Sequence, residues 1–140
     1  MNWIDEIIEG TLDLYGTSDP FELCDYLGIA LQKTNRDSPI LRGQHSIYIR
    51  ELFDKECIFY AQGLRFKRLK FHLLHELGHA LLHPDLACSA LTNDGKLERQ
   101  ANYFAVKLTL HGGLELIEGL TVEYAALEND IPVRIMEDVI

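Results

Sequence analysis

Apolar residues recur at helical spacing near both ends of the chain and alternate with polar ones in the stretches between. Trp3, Ile4, Ile7, Ile8, Leu12 and Leu14 fall mostly three to four apart, which predicts a first helix over 2–15 ending near Gly16. Asp19-Pro20 marks a second helix start, with aspartate as cap and proline in the first turn, and Gly28 closes it after Phe21, Leu23, Cys24 and Leu27. Ile29–Lys33 reads as a strand and Arg36–Gly43 as a loop. Ser46–Arg50 alternates cleanly as a second strand, and Ile58-Phe59-Tyr60 forms a shorter third. Phe66, Leu69, Leu73, Leu77 and Ala80 then make the apolar face of a helix that Pro84 stops.

A further helix begins after Asn93-Asp94-Gly95, with Asn93 or Asp94 as its N-cap and Leu97, Ala101, Phe104 and Leu108 as its stripe. Past Gly112-Gly113 the pattern predicts a short helical stretch at Leu114–Ile117. Two helices follow, Thr121–Glu128 and Pro132–Val139, joined by Asn129-Asp130 like a small helix-turn-helix. The whole predicts an α+β fold, with a small sheet packed beside two consecutive helices. At 140 residues there is room for one core, so the expected organisation is one domain over 1–140 with a helical tail from about 114.

His75-Glu76-Leu77-Gly78-His79 lies inside the Pro84-terminated helix. Histidines four apart stack on one helix face, so both imidazoles can reach one metal ion. By the 100° rotation per residue they point away from the Leu73–Leu77 face. Glu76 leans toward the same side, placed to take a proton from water at the metal, which is what a zinc hydrolase needs. Catalytic zinc usually takes a third protein ligand. Glu98, on the following helix, is the choice: it comes nineteen positions after His79, far enough for a loop and an antiparallel return. Asn102, one turn beyond Glu98, is placed to hydrogen-bond and orient a ligand. The competitors are weaker. Asp85 lacks the glycine that a tight return would need, since Leu82 stands midway, and His83 lies one turn too far along the helix.

HELGHALLH followed by Glu98-Arg99-Gln100-Ala101-Asn102-Tyr103-Phe104-Ala105 resembles the ImmA/IrrE family of zinc metallopeptidases, whose pattern is HELGH and then E-x-x-A-N-x-F-A. The resemblance covers residues 66–108. It implies a zincin-like fold with the gluzincin ligand set, zinc held by His75, His79 and Glu98, and Glu76 as general base. Family members of this size are typically carried by phages and other mobile elements. They cleave helix-turn-helix repressors, so the implied partner is such a repressor and the implied activity is that of an endopeptidase. Where relatives have a shorter connection, this chain carries Cys57–Gln62, which reads as an extra or displaced strand along the substrate groove. Residues 46–62 are accordingly expected to hold the peptide as an added strand. For the donor that stabilises the oxyanion, Tyr60, Tyr103, His72 and His111 remain open.

Composition narrows the class. Apolar content of 47% and charged content of 25% are ordinary for a globular protein. The acidic, amphipathic start is unlike a signal peptide, and no window reaches the length of a membrane span. Three scattered cysteines form neither a disulfide framework nor a C-x-x-C knuckle, which points to the cytoplasm. A net charge of −9 argues against direct nucleic-acid binding and for attraction to a basic partner. The basic run Arg65, Lys67, Arg68 and Lys70 reads either as a solvated helix start or as a rim that positions substrate. The alternative to cleavage is a binding module that keeps the protease fold and its zinc but inactivates a repressor by holding it.

Overall fold

Helix α1 (Asn2–Tyr15) opens a computed structural model that describes residues 2–92, 94–111 and 121–140. The predicted stretch Leu114–Ile117, the pair Gly112-Gly113 and the cap candidate Asn93 lie outside the described residues. Helix α2 (Pro20–Leu27) begins and ends where its local chemistry dictates. The Asp19 carboxylate accepts from the Glu22 N–H at 3.0 Å, and Gly28 closes the helix at φ 73, a left-handed conformation that glycine adopts without strain.

Strands β1 (Ala30–Thr34), β2 (Ser46–Leu52) and β3 (Lys55–Ala61) form a sheet in the order β1-β3-β2. β1 runs parallel to β3 with Ala30 opposite Cys57, and β2 runs antiparallel to it with Ser46 opposite Tyr60. Phe53 and Asp54 turn the β2–β3 hairpin with both φ angles positive, at 51 and 64, the hand that matches strand twist. Cys57–Gln62 is therefore not a displaced strand along a groove. Residues 55–61 are the central strand, paired on both sides and burying Cys57, Ile58 and Ala61. Of the stretch expected to present an edge, β2 alone does so. That edge is already engaged at Tyr48, whose N–H donates to Ser89 Oγ at 2.8 Å, and at Arg50, whose N–H donates to the Ala87 carbonyl at 2.8 Å.

Helices α3 (Phe66–Leu82) and α4 (Gly95–Thr109) pack against each other beside β2. Asp94 is the N-cap of α4, accepting from the Lys96 N–H at 2.9 Å. The amphipathic reading of α3 needs correction. Phe66 is 64% exposed, whereas from Phe71 onward the helix is buried on several sides, with Glu76 at 3% and His79 at 0%. The polar face points away from Leu73 and Leu77 but into α4 rather than into solvent. Gly78 makes that approach possible: a β-carbon there would stand 3.1 Å from Ala101 Cα and 3.2 Å from its carbonyl oxygen. The C-terminal carbonyls of α3 have no partners within the helix. Arg50 on β2 partners this end, donating to the Ala80 carbonyl at 3.3 Å and the His83 carbonyl at 2.8 Å, and also to the Leu86 carbonyl beyond the helix at 3.0 Å.

Helices α5 (Val122–Asn129) and α6 (Val133–Val139) complete the described chain. Ala125, Ala126, Ile131 and Met136 join the same core cluster as Leu73, Leu77 and Phe104, so the tail packs onto the body of the fold. It also explains the basic run. Arg65 and Arg68 both grip Asp130, Lys67 donates to the Glu128 carbonyl, and Lys70 lies 3.5 Å from Asp19. Cations at a helix N-terminus oppose the macrodipole, and here acidic neighbours offset them. The run is therefore paired with acidic neighbours rather than bare. No helix among the described residues is long and apolar enough to cross a membrane.

Candidate metal centre

The close approach of α3 and α4 brings three ligand-type side chains together. His79 Nε2 lies 2.8 Å from Glu98 Oε1 and His75 Nε2 lies 3.2 Å from Glu98 Oε2. One ligand atom from each residue falls within 4.8 Å of the others, near enough for one ion to reach all three. Asp85 is exposed and stands outside this group. Each imidazole turns its other nitrogen away from Glu98. His75 Nδ1 is 2.7 Å from Asn102 Oδ1, and His79 Nδ1 is 3.0 Å from His83 Nδ1. The donor set, two imidazole nitrogens and a carboxylate, suits a borderline metal such as zinc.

Glu76 sits beside them, one oxygen satisfied and one not. Oε2 accepts from Ser46 Oγ at 2.7 Å, while Oε1 is buried without a partner among the described residues. A buried carboxylate oxygen left open beside three ligand-type groups fits a site built around a bound metal and its water. A cleft of about 240 Å³ lined by Gln44, Ser46, His75, Glu76, Thr92 and Glu98 gives access.

Electrostatics within the cluster favour the charged carboxylate. Burial works against ionisation of Glu98, but hydrogen bonds from His75 and His79 outweigh it and hold the carboxyl well below its usual range. Burial likewise disfavours a His75 cation, yet the bond to Glu98 and the nearby charges raise its pKa.

The open question of an oxyanion donor also acquires geometry. Tyr103 donates to Asp5 at 2.7 Å, and His111 lines a separate cavity with Glu9 and Asp13 on α1. Tyr60 belongs to the central strand and packs against the core. His72 lines a cavity of about 180 Å³ that also contains His75, Glu76 and Asn102, and its Nε2 has no partner among the described residues. Sequence reading missed Ser46, His45 (whose ring is 5.2 Å from that of His72) and Gln100, which bonds His83. It weighed His83 as a ligand only, although its i+4 spacing from His79 was a signal of contact.

Residues 24–115 match the family model of the IrrE N-terminal-like domain, peptidase family M78. The chain belongs to that family. It is 29% identical over 136 residues to Metallopeptidase ImmA of Bacillus subtilis (strain 168), an alignment covering 89% of this chain and 76% of that protein. No solved structure shows a significant match. Membership of the ImmA/IrrE-type metallopeptidases makes the chain a peptidase, with protein as its substrate and a metal in its chemistry. His75, Glu76, His79, Glu98 and Asn102 all fall within the matched span.

Proposed function

We propose that the chain is a zinc-dependent endopeptidase in which His75, His79 and Glu98 hold the ion and Glu76 is the general base. The observation that carries this is the convergence of two imidazole nitrogens and one carboxylate beside a buried glutamate with one open oxygen. Zinc, when bound, supplies a Lewis acid that acidifies water to a pKa of about 7 and polarises the scissile carbonyl. Glu76 Oε1 accepts the proton as water attacks and later returns it to the leaving amine. Ser46 holds Glu76 Oε2, leaving Oε1 as the reactive oxygen. Asn102 fixes the His75 ring through Nδ1, so that Nε2 faces the ion. His72 is the candidate donor to the developing oxyanion, being the one of four possible donors that lines the cavity with Glu76.

The substrate class we assign is a helix-turn-helix repressor of a phage or mobile element, met in the cytoplasm. The resemblance to ImmA/IrrE peptidases supports it, and a net charge of −9 suits a basic DNA-binding partner. The described tail shares the main core cluster, which supports a single metallopeptidase domain over 1–140.

Mixing the zinc-loaded protein with candidate repressors tests the reading. The expected result is fragments with the wild type and none with Glu76→Gln, which keeps its zinc. Undiminished cleavage by Glu76→Gln would refute the assigned base. A stable complex with an intact repressor would replace cleavage by sequestration.

A further inference from the structure

We propose that His83 and Gln100 are positioning residues that select which nitrogen of His79 faces the metal. The inference rests on the reading of His79 as a ligand and extends it to two residues outside the ligand set. His79, His83 and Gln100 form a continuous buried chain. His79 Nδ1 is 3.0 Å from His83 Nδ1, and His83 Nε2 is 2.8 Å from Gln100 Oε1. The three residues are 0%, 7% and 6% exposed, so water does not compete for these bonds.

A neutral imidazole carries one proton, which makes one nitrogen a donor and the other an acceptor. His79 can ligate through Nε2 only if that nitrogen keeps its lone pair, which puts the proton on Nδ1. The N–H there must donate, and His83 Nδ1 is its acceptor. His83 then carries its own proton on Nε2 and donates to Gln100 Oε1. An amide oxygen only accepts, so the chain closes at that end, and the bare Nε2 of His79, 2.8 Å from Glu98 Oε1, is satisfied when a metal ion stands between them.

The opposite arrangement fails at its end. If His83 were protonated at Nδ1, its bare Nε2 would face the bare Gln100 oxygen, leaving two acceptors together. His79 would then be protonated at Nε2, donating to Glu98 in the metal-free chain and unable to ligate. The Gln100 carbonyl therefore gives the chain its direction, and that direction is the ligating one. His75 achieves the same state by a shorter route, since its Nδ1 meets the Asn102 Oδ1 directly at 2.7 Å. Helix α4 thus supplies Glu98 and the amide oxygen behind each imidazole. His83 is itself fixed from the backbone: its N–H returns to the His79 carbonyl at 3.1 Å and its carbonyl accepts from Arg50.

Nitrogen-15 NMR of the histidine rings in the zinc-loaded full chain reads the protonation sites directly. The expected spectrum shows His79 protonated at Nδ1 and His83 at Nε2. A His83 proton on Nδ1 would overturn the proposal. Zinc affinity, measured by chelator competition, gives a second readout. His83→Phe removes the acceptor and should weaken zinc about 10–100-fold, the usual effect of losing such a partner. His83→Gln, whose amide oxygen accepts from His79 and whose NH₂ donates to Gln100, should restore affinity close to wild type. Equal losses in the two variants, or no loss in His83→Phe, would likewise overturn it. Absence of zinc from the wild type would instead refute the metal reading itself, a distinct result from bound zinc with reversed tautomers.

Discussion

The two halves of α3 solve opposite electrostatic problems. Its N-cap Arg65 and first turns, with Lys67, Arg68 and Lys70, pair with Asp130, Glu128 and Asp19, all through exposed contacts except the half-buried Arg68–Asp130 pair. Its last turns carry His75, His79 and His83, which bond Asn102, Glu98 and Gln100 of α4 in the packed interface between the two helices. Exposed ion pairs are screened and individually weak. Buried hydrogen-bonded groups lose the full cost of desolvation when a partner goes. Substitutions should therefore be tolerated at the basic end and punished at the histidine end, and each prediction below tries that contrast.

The largest effect is expected at Glu76, in the histidine half. Glu76→Gln should lower turnover by about 10²–10⁴-fold, the range for a general base, with zinc affinity preserved. Steady-state kinetics alongside metal analysis checks both. Next comes the contact that brings the halves of the site together. Gly78→Val places new atoms against the α4 backbone, where even a β-carbon would stand 3.1 Å from Ala101 Cα. A backbone cannot step aside as a side chain can, so a loss of about 1–3 kcal/mol is expected, together with weaker zinc binding. Denaturant melts of the metal-free and zinc-loaded forms separate the two consequences.

His72 stands between the halves and gives the comparison a pH axis. Burial, helped by the charges of His45, His75 and Arg68, pushes its pKa from 6.5 down to about 3. Between those values the unfolded chain binds a proton that the folded chain does not. The stabilisation is thus complete above pH 6.5 and lost as pH falls toward 3. His72→Phe should flatten that part of the acid denaturation profile, measured on the metal-free protein. A profile identical to wild type would show His72 to be protonated in the folded chain.

The smallest effect belongs to the basic end. Asp130→Asn removes the charge shared by Arg65 and Arg68 but tolerates the left-handed φ of 52, and should cost less than the Gly78 change, with zinc affinity unaltered. Raised salt should erase much of the difference. A large loss of zinc in Asp130→Asn would mean that the two halves are coupled.

Local chemistry was legible in the sequence, and partnership across the fold was not. Asp19-Pro20, Gly28 and the HELGH helix are read from residues within a turn or two of one another, and each lies where its pattern predicts. Periodicity also put Glu98 and Asn102 on a second helix at a spacing compatible with antiparallel return. It could not say that α4 covers the polar face of α3, because a partly polar helix face reads the same under solvent or under another helix. Ser46 meets Glu76 across 30 residues, Arg50 meets the His83 carbonyl across 33, and Arg65 meets Asp130 across 65. Charge and residue type alone carry no information about such pairings. The same limit made β3 look like an added strand, since nothing within Cys57–Gln62 tells a central strand from an edge.

Zinc bound per chain, measured after dialysis against trace zinc for the wild type and for Glu98→Ala, tests the central claim most directly. The account predicts one equivalent in the wild type and its loss in the variant. A wild type without zinc, or a Glu98→Ala chain that keeps it, would contradict the assigned site.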